Sequence, residues 1–193
     1  MPRIKSFDEN AVLEKAMHLF WKNGFYATSM QDLVTHLQIN RASIYDTYGD
    51  KMQLFLKAFS HYRKTSLSDL KMFLYSHNSV KEGFKKLFLS IAEEEETDKG
   101  NIGCFVVNTT TELTAHDDVI KSIIQNNQDM FVNVFLDHLK RGVESGEISP
   151  EKDLESLALF LFTLNNGIKV LNRTNTSTTA LKKMVESALT ILD

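Results

Sequence analysis

The chain has 193 residues and a formal net charge of −3; hydrophobic residues make up 42% of it, charged residues make up 24%, and there is one cysteine. This composition is typical of a folded globular protein with one domain or a small head on a larger body, and it excludes disordered, collagen-like and disulfide-stabilised chains. The longest apolar run, residues 157–164, is far shorter than the roughly 20 residues that span a membrane, and no apolar leader follows residue 1, so we expect a cytoplasmic protein with no membrane partner.

Helical patterning begins near the N-terminus, with apolar residues spaced three and four positions apart. Gly24 ends the first predicted helix, because glycine readily adopts the left-handed conformation found just past a helix end. Thr28 with Gln31 forms a predicted capping box for the second helix. Asn40 is the predicted cap of a short third helix, and Asp50 that of a fourth helix reaching about residue 76.

The same pattern continues to the C-terminus without a convincing strand. Asp117 is a predicted cap of a long helix, and Ser149 followed by proline predicts the start of another that runs to about residue 171. A polar break at 174–179 separates this helix from a last one over 181–192. We therefore predict an all-α fold of about nine helices, with a three-helix head over 1–50 and a helical body over 51–193.

Residues 28–48 have the spacing of a helix-turn-helix, with a second helix over 41–48 that is short enough to enter a major groove. Ile44 and Tyr48 lie four apart and can face inward, which leaves the other side chains for DNA. Lys51 lies in a first helical turn, where the helix dipole disfavours a cation unless a phosphate lies opposite. The candidate DNA-binding residues are Thr28, Ser29, Arg41, Ala42, Ser43, Tyr45, Thr47, Tyr48 and Lys51.

Residues 28–34 (Thr-Ser-Met-Gln-Asp-Leu-Val) and 42–55 (Ala-Ser-Ile-Tyr-Asp-Thr-Tyr-Gly-Asp-Lys-Met-Gln-Leu-Phe) resemble the DNA-binding head of the TetR family of bacterial transcriptional regulators. The resemblance covers residues 8 to about 62, and the ending aromatic-Gly-Asp-Lys-x-x-Leu-Phe is specific. One departure is Gln38, where the family usually has glycine in the turn; a positive φ is costly for any other residue. The charge distribution is compatible, because residues 1–64 carry +3 and the rest carry −6.

The resemblance implies a homodimeric repressor that leaves a palindromic double-stranded DNA operator when a small effector binds in the body. It further implies that the last two long helices, over 150–171 and 181–192, pair with those of a partner. Both helices carry more apolar residues than a terminal hairpin needs, although they could instead close the core of one protomer.

Thirteen phenylalanines indicate an apolar cavity in the body for a small apolar or aromatic effector. Most of them could equally fill the core. Polar residues that interrupt apolar stripes could orient the effector, bond one another or face solvent. The candidate effector-binding residues are Phe73, Phe88, Phe105, Phe131, Phe135 and Phe162, with the polar Asn108, Glu112 and Asn165.

Cys104 follows Gly103 near a predicted helix start, where free N–H groups favour a reactive thiolate. The Gly-Cys pair resembles that of a subgroup of the family, some of whose members sense electrophiles or oxidants, so a thiol-based sensor is one alternative. The plainer interpretation is that Cys104 is a small buried apolar residue. Another alternative is a helical protein that acts through protein partners. The six histidines are scattered, and the sequence has neither metal-ligand spacing nor a glycine-rich phosphate loop, so we expect no enzyme, metal or cofactor.

Overall fold

The computed structural model describes residues 7–93, 102–174 and 176–193. Within these ranges the chain forms nine α-helices, one short 3₁₀ turn and no strand, which confirms the predicted all-α fold. The helices are α1 (Glu9–Asn23), α2 (Met30–Leu37), α3 (Arg41–Tyr48), α4 (Lys51–Tyr75), α5 (Val80–Glu93), α6 (Phe105–Leu113), α7 (Asp118–Glu144), α8 (Leu154–Asn172) and α9 (Thr178–Leu189), followed by the turn Thr190–Leu192.

Several helix ends lie where the capping residues predict them. Gly24 ends α1 with a φ of 84°. The side chains of Asn40, Asp50 and Asp117 accept backbone N–H bonds at the starts of α3, α4 and α7. Gln38 ends α2 in the left-handed region, with φ 57° and ψ 32°, so glutamine occupies the turn position where the resemblance led us to expect glycine.

Two predicted starts are wrong. The capping box of α2 is formed by Ser29 and Asp32, one residue later than the Thr28–Gln31 pair. The start of α8 is capped by Asp153, whose carboxylate accepts from Ser156 N at 3.0 Å, because the chain around Ser149 forms a separate turn before the helix.

An aromatic cluster joins the head to the body. The ring of Phe55 on α4 lies 5.3 Å from that of Phe20 and 5.2 Å from that of Phe25, both in the head. On its other side it lies 5.7 Å from Phe59 and 5.7 Å from Phe105 on α6. The core of the head therefore continues past the boundary predicted at residue 50 into α4, α6 and the start of α7.

A second core lies between α5, α7, α8 and α9. Among the described helices, α8 is the one that is long and apolar enough to cross a membrane by length and composition alone, with 28% of the tested window buried. Its inner face packs in this core, whereas Leu159, Phe160 and Val170 remain exposed. In α9 the apolar side chains Leu181 and Val185 are buried inside the protomer.

Candidate DNA-binding surface and ligand cavity

Helix α3 presents one polar face to solvent. Ile44 is fully buried and anchors the helix to the head. Arg41, Ala42 and Tyr45 are exposed, and the Arg41 guanidinium lies 5.9 Å from the centre of the Tyr45 ring. Exposed arginine and small polar side chains on a short, firmly packed helix are the groups that read base edges in a major groove.

Two of the candidate DNA-binding side chains turn inward, which corrects their assignment to the DNA-binding surface; helical spacing had already predicted this orientation for Tyr48. Tyr48 is 4% exposed and its hydroxyl donates to Glu9 O at 2.8 Å; burial raises the pKa of this phenol to about 12. Thr28 is fully buried, and its hydroxyl donates to Gly24 O at 2.6 Å. Ser29 remains exposed at the start of α2, and Ser43 and Thr47 are half-buried on α3.

Lys51 has an internal partner in the first turn of α4. Its ammonium donates to Thr28 O at 2.6 Å and lies 4.3 Å from the centre of the Phe25 ring. Burial lowers the pKa of Lys51, and the nearby Glu112 carboxylate opposes that shift. A phosphate is therefore not needed to explain a cation at this position, and contact with phosphate stays a prediction.

Lys57 is an exposed cation on the same side of the head that the sequence analysis missed. Its ammonium donates to Thr47 O at 3.3 Å and lies 5.6 Å from the centre of the Tyr48 ring. Its place in the second turn of α4, directly after a helix-turn-helix, was the available signal in the sequence.

Glu112 on α6 binds the head rather than the cavity, which corrects its predicted role. Its carboxylate accepts from Phe25 N at 3.0 Å and Tyr26 N at 2.8 Å, in the loop between α1 and α2. A side chain at Gly24 would meet this carboxylate, because a Cβ there would lie 2.9 Å from Oε2 of Glu112. Just before the start of α6, Trp21 Nε1 donates to Gly103 O at 2.8 Å. The head therefore contacts this segment at both ends.

Helix α6 has weak internal support. Thr110 donates to Val106 O at 2.8 Å and Thr114 donates to Thr110 O at 2.7 Å, a back-bonding pattern that competes with the helical ladder. The Thr109 hydroxyl is buried without a hydrogen-bond partner. Cys104, at the N-cap position of α6, provides no side-chain cap bond.

A cavity of about 560 Å³ lies between the head and the body. Three of the predicted effector-binding residues line it, namely Phe73, Phe131 and Asn165. The sequence analysis missed that α1 forms a wall, with Met17 and Trp21 among its lining residues. It also missed the lining residues Tyr62, Lys169 and Asn172; a polar residue on an apolar stripe was the signal for Asn172.

The remaining candidates do not line the cavity. Phe88 and Phe135 are fully buried in the body core, and Phe162 packs beside Phe131 at 6.4 Å between ring centres. Phe105 belongs to the aromatic cluster of the head. Asn108 bridges two segments, since it donates to Ile102 O at 2.9 Å and accepts from Arg173 Nη1 at 2.7 Å.

Cys104 lines the cavity but is only 7% exposed. Its Sγ lies 3.8 Å from the hydroxyl oxygen of Tyr62. Burial, with the thiol beside it, raises the pKa of Tyr62 well above its usual range. In the part of the chain that the structure describes, no group of three or more His, Cys, Asp or Glu side chains could hold a metal ion.

The pair α2 and α3, with α3 packed on the head through one face and presenting its polar face to solvent, has the arrangement of a helix-turn-helix DNA-binding protein. Residues 12–58 match the family described as bacterial regulatory proteins, tetR family, and residues 84–188 match the tetracyclin repressor-like, C-terminal domain. The chain belongs to the TetR family of bacterial transcriptional regulators and is a DNA-binding transcriptional regulator.

Curated relatives and a solved structure are similar to this chain over nearly its full length. The chain is 30% identical over 192 residues to the HTH-type transcriptional repressor ComR of Escherichia coli (strain K12), covering 98% of this chain and 90% of ComR. It is 29% identical over 194 residues to the HTH-type transcriptional regulator YezE of Bacillus subtilis (strain 168), covering 100% of both. A cysteine mutant of the TetR family regulator CifR, complexed with 26-bp operator DNA, superposes with a TM-score of 0.88 at 25% identity, covering 99% of this chain and 100% of CifR.

Proposed function

We propose that this protein is a ligand-responsive repressor that leaves a palindromic operator when a small effector occupies the cavity. The observation that carries this proposal is that one short segment, Cys104 with α6 directly after it, borders the cavity at Cys104 and holds the head at Glu112. Repression is supported by the similarity to the transcriptional repressor ComR, and operator binding by the similarity to CifR in its complex with operator DNA. Because bacterial DNA lies in the cytoplasm, we propose that location for this protein.

The exposed apolar face of α8 supports a homodimer. Leu159 and Phe160 are 48% and 38% exposed, and Val170 is 45% exposed on the same helix. A Cβ built at Gly167 meets no atom within 4 Å, so this face is open to a partner. Met130 on α7, the helix against which α8 packs, is also exposed. We therefore propose an interface on α8 and α7, where the sequence had pointed to the last two helices, α8 and α9. A twofold dimer reads a palindromic site.

The coupling follows from the contacts of α6. An effector can shift the equilibrium only by binding the two head orientations with different affinity. An effector beside Gly103 and Cys104 presses on the segment whose other end holds Phe25 and Tyr26 through Glu112. A displaced α6 would turn the head, and the two recognition helices of a dimer would then no longer fit successive major grooves.

The test is an anisotropy titration against duplexes from the DNA that flanks the gene, with scrambled duplexes as control, at two salt concentrations. We expect selective, salt-dependent binding of two protomers or a multiple. Arg41→Ala is expected to weaken operator binding about ten- to hundredfold while leaving scrambled DNA much less affected, because a base contact is worth about 1–3 kcal/mol.

Lys51→Ala is expected to weaken binding to all sequences and to flatten the slope of log affinity against log salt concentration by roughly 0.9.

Lys183→Ala is the matched control, because this lysine is exposed on α9, away from the head. If Lys51→Ala left the salt dependence of DNA binding unchanged, Lys51 would not contact phosphate, and its role would be the internal bond to Thr28 O. Equal binding to operator and scrambled duplexes, together with no sequence enriched from a random library, would contradict the proposal and favour a protein that acts through protein partners.

A thiol-based sensor is the second candidate. It is favoured by the position of Cys104 in the cavity wall, beside the Tyr62 hydroxyl. On this hypothesis, peroxide or a quinone would release the operator from the protein but not from Cys104→Ser, while any ligand response would persist. Equal release from both proteins would assign Cys104 to packing, in keeping with its 7% exposure.

A further inference from the structure

Three side chains of α8 form a polar stripe in the cavity wall. Asn165, Lys169 and Asn172 are spaced four and three residues apart, so they lie on one helix face, and all three line the cavity. Asn165 is 3% exposed and Asn172 is 4% exposed. Such buried polar groups on an otherwise apolar helix need partners.

The hydrogen bonds of the two asparagines are incomplete. The amide of Asn172 is oriented by its Nδ2, which donates to Ile91 O at 2.7 Å. Its Oδ1 is buried and has no hydrogen-bond partner. The bond from Asn165 Nδ2 to Asn166 Oδ1 is long, at 3.4 Å. Two residues that line the cavity therefore carry one acceptor without a partner and one weakly bonded donor, and a buried polar group without a partner is costly.

Lys169 adds a positive charge between them. It is half-buried, and the ion pairs found among the described residues do not include it. The acidic lining residues come from other helices: Glu14 on α1, which lies 3.9 Å from His61, and Asp69 on α4. Among the residues that the structure describes, the wall formed by α8 therefore offers an ammonium without a carboxylate partner, flanked by two carboxamides.

We propose that the effector is a small carboxylic acid with an apolar body and a hydroxyl or N–H donor near the acid group. This inference rests on the proposed function. The carboxylate would pair with Lys169 and accept from Asn165, because charge-assisted bonds are the strongest that this wall can form. The donor would satisfy Asn172 Oδ1. The apolar body would lie against Phe73 and Phe131, and 560 Å³ accommodates a ligand with one aromatic ring.

Trp21, the only tryptophan, lines the cavity and therefore reports its occupancy. The test is a titration of Trp21 emission, excited where a phenyl ring does not absorb, with four matched probes. These are phenyllactate, phenylpropanoate without the hydroxyl, the neutral phenyllactamide, and the cationic phenylalaninol. We expect phenyllactate to bind about tenfold more tightly than each of the others.

Lys169→Met is expected to lower phenyllactate affinity to that of phenyllactamide and to leave phenyllactamide affinity unchanged. Asn172→Leu is expected to abolish the difference between phenyllactate and phenylpropanoate. Lys183→Met is the control, and thermal unfolding checks each variant. The comparison of the four probes on the unmodified protein needs no variant to fold.

Equal or tighter binding of phenyllactamide or phenylalaninol would overturn the inference, as would the absence of any change in Trp21 emission with all four probes. The operator titration separates this failure from that of the proposed function. Selective operator binding without a carboxylate preference would overturn only the effector class. Carboxylate selectivity without operator binding would support the class of ligand while contradicting the repressor.

Discussion

Glu112→Ala is expected to lower the free energy of unfolding by about 2–3 kcal/mol, because hydrogen bonds to a charged acceptor contribute about that much each and are partly replaced by water. The variant leaves the Phe25 and Tyr26 N–H groups without the carboxylate that binds them at 3.0 and 2.8 Å. It also removes the contact that orients the loop between α1 and α2 against α6, so this part of the head must be oriented during binding. We therefore expect operator affinity to fall about tenfold on every operator variant alike.

The measurements are urea unfolding followed by circular dichroism, and the anisotropy titration. Glu112→Gln keeps one carbonyl acceptor and should show a smaller loss in both. Glu186→Ala is the control, since this acid is exposed on α9. If Glu112→Ala bound operator with unchanged affinity while losing stability, the contact would be structural only and α6 would not orient the head.

Phe55→Ala is expected to have the larger effect on stability, about 3–5 kcal/mol, because it removes a fully packed aromatic ring and leaves a cavity. Phe55 is 1% exposed and contacts rings of both the head and α6. Since these groups share one core, we expect head and body to unfold in a single transition shifted to lower urea. Helical circular dichroism and Trp21 fluorescence should report the same midpoint.

Met72→Ala is the matched control, because Met72 lies on the same helix and is 63% exposed. It should change stability by less than about 0.5 kcal/mol. Two separate transitions, with the head melting first, would contradict a shared core and would instead support independent units divided near residue 50.

The sequence was sufficient where structure depends on neighbours a few residues apart. The starts of α3 and α4 follow from Asn40 and Asp50. Each side chain accepts a hydrogen bond at 2.8 Å from the backbone N–H of the residue three positions later. Inward orientation of Ile44 follows from helical spacing alone. The predicted start of α2 was wrong by only one residue. Two adjacent hydroxyl residues, Thr28 and Ser29, each have a polar residue three positions later, so the sequence did not distinguish them.

Contacts between distant residues were beyond what the sequence pattern could predict. Glu112 interrupts an apolar stripe, and this signal fits a cavity residue as well as a head contact 87 residues away. Lys51 looked unpaired because its partner, the Thr28 carbonyl, is a backbone atom of another helix start. The apolar content of 181–192 was equally ambiguous, since only the packing of Leu181 and Val185 on neighbouring helices shows that it faces inward.

The threonines of α6 have a consequence for how long this helix stays intact. Beta-branched residues and back-bonded hydroxyls give a nine-residue segment little tendency to be helical by itself. Its order depends on contacts with the head: the Trp21 bond to Gly103 O and the packing of the Phe105 ring at its start, and the Glu112 bonds near its end. Local opening of α6 should therefore cost far less than global unfolding, and its amide protons should exchange before those of α4 or α7. We therefore expect the segment between the cavity and the DNA-binding head to open locally more often than the helices around it.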